Sequence, residues 1–224
     1  MKILTGLVAA VLAVSPAFAQ KTAADRLQAA TEDLHEMMNA GDKGIPQDLL
    51  SKASCVVVVP NLKKGGFIVG AEYGKGFFTC RKSSGVGWSA PGSLRITGGK
   101  FGLLIGAAET DLIMLVMNKD GMEHMLKDKT QIGGELSAAA GPVGRDSSAM
   151  TDAVLHAEIL TYSRQRGLFG GIDLTGAAVT ADKDSNKELY GKEVTNKEIV
   201  EGGIPTPTVA RPFLGALTHQ SSRK

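Results

Sequence analysis

The stretch KKGGFIVGAEYGKGFFTCRK, from Lys63 to Lys82, decides between two interpretations of this glycine-rich chain. Its apolar and aromatic residues favour strands, whereas five glycines in its first fourteen positions are also typical of phosphate-binding loops. A phosphate loop requires G-x-x-x-x-G-K-[ST] between a strand and a helix. The segment from Gly70 to Gly76 is one residue too short, and another strand-like run follows it. The glycines are therefore predicted to be turn and bulge residues of a sheet.

Strand-like runs surround this stretch. CVVVV, before it, predicts a strand buried on both faces that Pro60 ends. FIVGAEY and GFFTCRK are expected to form a hairpin across Gly74-Lys75. Further runs follow, many with glycines: VGWSA, SLRIT, KFGLLIGA, DLIMLVM, QIGGELSAAAG, AEILTYSR and LFGGIDLTGAAVTA. The predicted fold class is α+β, with a curved antiparallel β-sheet or barrel-like core, N-terminal helices and short flanking helices.

The segment TAADRLQAATEDLHEMMNA predicts an amphipathic helix that starts at a capping box of Thr22 and Asp25. Its polar face is acidic, whereas helices that lie in membrane interfaces usually carry Lys and Arg there. We therefore expect its apolar stripe to pack on the domain. Shorter helices are predicted at PQDLLSKA, KDGMEHMLKD, SNKELYG and NKEIVEG. The stripe consists of Leu27, Ala30, Leu34, Met37 and Met38.

The N-terminus has the features of a secretory signal peptide: a positive start, the apolar run ILTGLVAAVLAV and an A-x-A site that ends at Ala19. The expected organisation is a signal peptide at 1–19, the amphipathic helix at 20–45, the main domain at 46–203 and a Pro-rich, loosely ordered tail at 204–224. The expected location is periplasmic or secreted. Export permits a disulfide between Cys55 and Cys80, and two buried thiols are the alternative.

The composition and the motifs argue against two classes of function, nucleic-acid binding and catalysis. A formal net charge of +2 on 224 residues does not indicate a nucleic-acid-binding protein. The four histidines form no H-E-x-x-H pattern, and no G-x-S-x-G elbow is present. Because no nucleophile, base and orienting group can be assembled, we expect neither an enzyme nor a cofactor.

Two groups of residues are candidate binding sites. Asp182, Asp184, Asn186 and Glu193 match the first, third, fifth and twelfth places of a calcium loop, although Lys187 occupies the glycine position. A capped helix start is the alternative. Basic residues near predicted turns are candidates for binding lipid head groups, with a solvated surface as the alternative. They are Lys63, Lys64, Lys75, Arg145, Arg164 and Arg166.

In order and spacing, several motifs resemble the SYLF domain family. The matching stretches are VVVVPNLKKGGFIVGAEYGKG, WSAP, ITGGKFGLLIGAAETDLIMLVMN, AAAGPVGRDSSAMTDA, EILTYSRQRGLFGGIDLTGAAV and ELYG. The resemblance implies a non-catalytic domain that binds phosphoinositides or other anionic lipids, and some family members bind actin. With a signal peptide, the expected function is anionic-lipid or membrane-surface binding in the bacterial envelope. The alternative is a structural or protein-interaction component of the periplasm, held by an envelope protein partner.

Overall fold

The computed structural model describes residues 21–41, 44–66, 69–101, 106–143, 154, 156–165 and 167–221. The predicted signal peptide, residues 1–19, lies outside these ranges. Across the described ranges, no helix is both long enough and apolar enough to cross a membrane.

One strongly curled sheet, bent into a half-barrel, forms the centre of the fold. Its strands are β1 (Cys55–Gly66), β2 (Val69–Cys80), β3 (Gly92–Phe101), β4 (Gly106–Val116), β5 (Lys129–Gln131), β6 (Ala138–Ala140), β7 (Ile159–Gln165), β8 (Leu168–Gly171) and β9 (Ala178–Ala181). They run in the order β5-β9-β3-β2-β1-β4-β7-β6, and β8 also pairs with β7. Only β6 and β7 pair in parallel among these strands. The predicted α+β class with a curved sheet is confirmed.

Helices cover the sheet and its ends. The α-helices with both ends in the described ranges are α1 (Ala23–Met38), α2 (Gln47–Lys52), α3 (Lys119–Leu126), α4 (Lys183–Tyr190), α5 (Asn196–Glu201) and α6 (Arg211–Gln220), and a short 3₁₀ helix spans Thr208–Ala210. The predicted capping box starts α1, with Thr22 and Asp25 bonded reciprocally. Leu27, Leu34 and Met37 of the predicted stripe are buried, so α1 packs on the domain as expected.

The first half of β1 is buried on both faces, as the CVVVV run predicts. Val56 and Val58 pack with residues of α1 and α6. Val57 and Val59 pack on the other side, in the interior of the curl. Two layers of apolar side chains therefore meet at this strand, which explains its uniformly β-branched sequence.

A β-bulge at Pro60 and Asn61 carries β1 past the point where the sequence predicted its end. The register with β2 and with β4 shifts there by one residue. Asn61 has φ 53°, in the left-handed region that asparagine tolerates, and its N–H donates to Asp111 Oδ1 at 3.0 Å. Proline has no N–H that needs a partner at this irregular point. Because the extra residue reverses the alternation of side chains, Lys63 lies on the α1 side of the sheet.

The predicted hairpin across Gly74-Lys75 is wrong, because β2 is one continuous strand. A Cβ at Gly74 would lie 2.7 Å from Val59 Cγ1, and a Cβ at Gly76 would lie 2.2 Å from the Val58 carbonyl oxygen. These glycines leave room for the bulged β1 beside them. They are residues of a sheet, as the sequence predicted, although they form no turn.

Cys55 and Cys80 form a disulfide, one of the two alternatives that the sequence left open. The two residues are direct partners across β1 and β2, with Cα atoms 3.9 Å apart, and both are fully buried. The adjacent pair, Ser54 and Arg81, is joined by a backbone hydrogen bond. The cysteines therefore occupy a non-hydrogen-bonded pair, in which facing side chains are closest.

The C-terminal segment differs from the loosely ordered tail that its prolines suggested. Residues Arg211–Gln220 form α6, and Phe213 and Leu217 are fully buried beside α1. Pro212 lies in the first turn, where a missing N–H costs nothing. The spacing of Phe213, Ala216 and Leu217 is helical, so the packing of one apolar face orders the segment.

Candidate functional site

An open groove of about 480 Å³ lies between the start of α1 and the bulge in β1. Four basic residues line it: Lys21 and Arg26 at the start of α1, Lys63 on β1 and Lys75 on β2. Glu109 on β4 is acidic, so these five side chains carry a formal charge of +3. We call this feature the cationic groove. Its remaining lining residues are Ala29, Pro60, Asn61, Tyr73 and Gly74.

Contacts with α4 fix the start of α1 at the groove. Glu188 accepts a hydrogen bond from the N–H of Ala23 at 2.8 Å, a favourable place for an acid beside a helix N-terminus. Arg26 Nη2 donates to Ser185 Oγ at 2.7 Å, and Nη1 donates to the carbonyl of Lys21. Both acceptors are neutral, so these bonds orient the guanidinium without forming an ion pair.

Lys75 is held by a buried carboxylate. Its Nζ lies 2.8 Å from Asp182 Oδ2, and the Asp182 side chain is 1% exposed. Burial alone would raise the pKa of Asp182, but hydrogen bonds from Lys75 and Ser185, with the charge of Lys75, lower it. Asp182 is therefore ionised at neutral pH and balances much of the charge of Lys75. Lys75 contributes mainly to the wall of the groove.

Lys63 forms a weaker pair. Its Nζ lies 3.9 Å from Glu109 Oε1, and the two side chains are 71% and 61% exposed. An exposed pair of this length contributes little free energy and exchanges readily for another anion. The next residue, Lys64, lies on the opposite face of the sheet, with its Nζ 3.6 Å from Glu72 Oε2. Lys64 therefore does not share the groove with Lys63.

Arg164, on β7, is the centre of a carboxylate cluster formed with Asp33, Glu36 and Asp111. Its Nη2 lies 3.0 Å from Asp33 Oδ1 on α1 and 2.7 Å from Asp111 Oδ2 on β4. Its Nη1 pairs with Glu36. Three carboxylates surround this guanidinium, so Arg164 ties α1 to the sheet and is not exposed for a head group.

Burial raises the pKa of Asp33 to about 7, and repulsion from Asp111 adds to this effect, while Arg164 opposes it. Burial also raises the pKa of Asp111. Among the described residues, Asp33 Oδ2 is buried and has no hydrogen-bond partner. A proton on Asp33 neutralises a buried carboxylate and also removes one of the crowded negative charges of the cluster, and both effects raise the pKa of Asp33.

The structure thus brings together Lys63 and Lys75 from the six predicted head-group residues. Lys64 and Arg164 are placed elsewhere, and Arg145 and Arg166 lie outside the described residues. The sequence did not single out Lys21 or Arg26 for this site. Both residues precede Lys63 by more than thirty positions in the sequence. They line the same groove as Lys63 only because α1 packs beside β1. The one signal was a basic residue, Arg26, at the start of an otherwise acidic helix face.

The calcium-loop candidates have separate structural positions. Asp182 is the N-cap of α4 and Asp184 lies in its first turn. Asn186 is fully buried and accepts a hydrogen bond from the N–H of Ser93 at 2.8 Å. Glu193 lies beyond the helix and forms an exposed ion pair with a lysine of α4. Within the described ranges, no group of three or more His, Cys, Asp or Glu side chains could hold a metal ion.

Sequence comparisons relate the chain to a group of eukaryotic proteins. The model of the Ysc84 family, described as "Las17-binding protein actin regulator", matches residues 97–220. The chain is 31% identical over 183 residues to LAS seventeen-binding protein 3 of Saccharomyces cerevisiae, covering 80% of the chain and 39% of that protein. It is 32% identical over 173 residues to SH3 domain-containing YSC84-like protein 1 of Homo sapiens, covering 77% of the chain and 50% of that protein. The chain therefore matches half or less of the length of these relatives.

Proposed function

We propose, from the premise that this chain belongs to the Ysc84 (SYLF) family, that it is a non-catalytic module that binds anionic lipid head groups. The family match extends over more than half of the chain, which confirms the resemblance drawn from its motifs. In this proposal the protein is exported to the bacterial envelope after cleavage of the signal peptide at residues 1–19. Its ligand is the anionic surface of a membrane there.

The cationic groove is the observation that carries the proposal. Its volume of about 480 Å³ falls in the range of small-ligand sites. Arg26 is oriented by neutral acceptors, and the pair between Lys63 and Glu109 is open to exchange. Each Lys or Arg near an anionic lipid surface contributes roughly 1 kcal/mol of attraction. Lys21, Arg26 and Lys63 together therefore contribute roughly 3 kcal/mol of attraction, which added salt should reduce.

The same lining supports binding without turnover. Its described side chains are those of lysine, arginine, glutamate, tyrosine, asparagine, proline and alanine, with no serine, cysteine or histidine among them. Such a set can neutralise and orient an anion. In the proposal these side chains neutralise and orient the anion and make or break no covalent bond.

Vesicle co-sedimentation tests the proposal. The variant Lys21→Gln/Lys63→Gln removes two exposed charges of the groove, and we expect about 30-fold weaker binding to vesicles that contain phosphatidylglycerol, from roughly 1 kcal/mol per charge. Lys119→Gln/Lys197→Gln is the matched control, because these two lysines are exposed and each forms a weak ion pair, as Lys63 does. Binding should also fall with added salt. Equal binding of both variants, or equal binding to neutral vesicles, would contradict a charge-driven groove.

A protein partner is the second candidate, and a specific observation favours it. One relative is named for binding Las17, and the family description repeats this property. In the bacterial envelope the corresponding partner would be another protein of that compartment. Crosslinking in intact cells separates the two proposals: recovery of one protein species, undiminished in Lys21→Gln/Lys63→Gln, favours the protein partner, and recovery of lipid favours the groove.

A further inference from the structure

We infer that Asp33, Asp111 and Arg164 form a proton-linked latch that ties α1 to the sheet and sets how strongly the cationic groove binds an anion. The inference rests on the proposed anion binding at the groove and adds its regulation. Protonation of the latch is expected to strengthen anion binding, and loss of that proton to weaken it.

The latch and the groove are built from the same elements. α1 contributes Arg26 and Ala29 to the groove and Asp33 to the latch. Because Ala29 and Asp33 are four residues apart on a helix, they lie on the same face, one above the other. On the sheet side, the N–H of Asn61, a groove residue, donates to Asp111 Oδ1 at 3.0 Å. A shift of α1 away from Arg164 would therefore also move one wall of the groove.

The charges around Asp33 favour a proton there. Three carboxylates share one guanidinium in the cluster, and one buried oxygen of Asp33 has no partner among the described residues. Groups of the groove act on the same cluster, because Lys21 lowers the pKa of Asp111 and Glu109 raises it. The charged residues and histidines on the elements around Asp33 are Asp25, Arg26, Glu32, His35 and Glu36 on α1, Lys63 and Lys64 on β1, Glu72 and Lys75 on β2, Glu109 and Asp111 on β4, Arg164 on β7, Lys183, Asp184, Lys187 and Glu188 on α4, and the exposed Arg211 and His219 on α6.

Two effects act in the same direction when Asp33 loses its proton. The cluster gains a negative charge one helical turn from the groove, which repels a bound anion. The buried charge also opposes docking of α1, which carries Arg26 and follows directly after Lys21. For charges about 10 Å apart in a water-like medium, the first effect alone corresponds to roughly a twofold loss of affinity.

Anion binding is tested with vesicles of phosphatidylglycerol, a phosphodiester whose charge is constant over the range compared. For each protein we compare the affinity at pH 6 with the affinity at pH 8. We expect this ratio to be about two- to threefold larger for the wild type than for Asp33→Asn. Histidine protonation is common to both proteins and cancels in this comparison. Glu123→Gln removes an exposed carboxylate on α3, away from the cluster, and as the control it should keep the wild-type ratio. Equal pH ratios for wild type and Asp33→Asn would overturn the inference.

Two further measurements need no lipid, so they separate failure of the latch from failure of the proposed function. Hydrogen exchange of α1, corrected for intrinsic rates and referenced to β1, should indicate about tenfold more opening at pH 8 than at pH 6. The NMR chemical shift of the Asp33 carboxyl carbon should change with pH with a midpoint near 7 in the wild type. This measurement needs no variant. A midpoint below about 5, close to that of a free carboxyl, would overturn the latch. Absence of vesicle binding at both pH values, with these two results intact, would contradict only the lipid function.

Discussion

The substitution Gly76→Ala tests whether the glycines of β2 make room for the bulged strand beside them. A Cβ at this position would lie 2.2 Å from the carbonyl oxygen of Val58 and 2.8 Å from Cα of Val59. Both are backbone atoms of a strand buried on two faces, so relief requires β1 to move against β2. Overpacking of a core costs about 1–3 kcal/mol, and contact with backbone places this case near the upper end. We expect a loss of about 3 kcal/mol, or a fall in Tm of roughly 6–12 °C for a chain of this size.

Gly99→Ala is the matched control for Gly76→Ala. Gly99 also lies in a strand, but the nearest atom to its Cβ position is 3.9 Å away, so its free energy of unfolding should change by less than about 0.5 kcal/mol. Urea unfolding followed by circular dichroism, with the disulfide intact, measures both values, and unchanged m-values would show that the same transition is compared. Equal stability of the two variants would refute the reasoning that close approach of β1 requires glycine at position 76.

Three further predictions concern the disulfide, the latch and the groove. Replacing Cys55 and Cys80 by alanine should lower the free energy of unfolding by about 3.5 kcal/mol, from the 25-residue separation, in urea unfolding without reductant; a change below 1 kcal/mol would contradict this. Because the folded-state pKa of Asp33 is raised to about 7, the folded protein binds more protons than the unfolded chain between pH 4 and 7. Stability should therefore fall by about 3 kcal/mol from pH 5 to pH 8, and Asp33→Asn should remove this slope. Glu109→Gln removes the acid that faces Lys63, so binding to anionic vesicles should strengthen about fivefold, and weaker binding would contradict the electrostatic account.

Sequence patterns predicted the elements that depend on local chemistry. The capping box of α1, the apolar stripe that it buries and the doubly buried start of β1 follow from side-chain spacing alone. The glycines of β2 were also identified as residues of a sheet. These features need no knowledge of which segments meet in space.

Features that depend on distant contacts could not be read in this way. A proline such as Pro60 ends most strands. Here Asp111, fifty residues away, accepts a hydrogen bond from the N–H of Asn61 and completes a bulge, so β1 continues. Pro205 and Pro207 suggested a loosely ordered tail, but the apolar face of α6, with Phe213 and Leu217, packs against α1. The groove has the same origin, because Arg26 meets Lys63 only after α1 docks on the sheet. Arg164 was assigned to a head group by its charge, and its three carboxylate partners come from α1 and β4.

A hydrogen-exchange footprint on phosphatidylglycerol vesicles tests the central claim, that this family member binds anions at the cationic groove, most directly. Exchange of the full chain with and without vesicles locates the contact without any substitution. We predict slower exchange at residues 21–29, 60–63 and 73–75, reversed by salt, with α5 unchanged as the internal reference. Slower exchange confined to another surface, with the groove unaffected, would contradict the account.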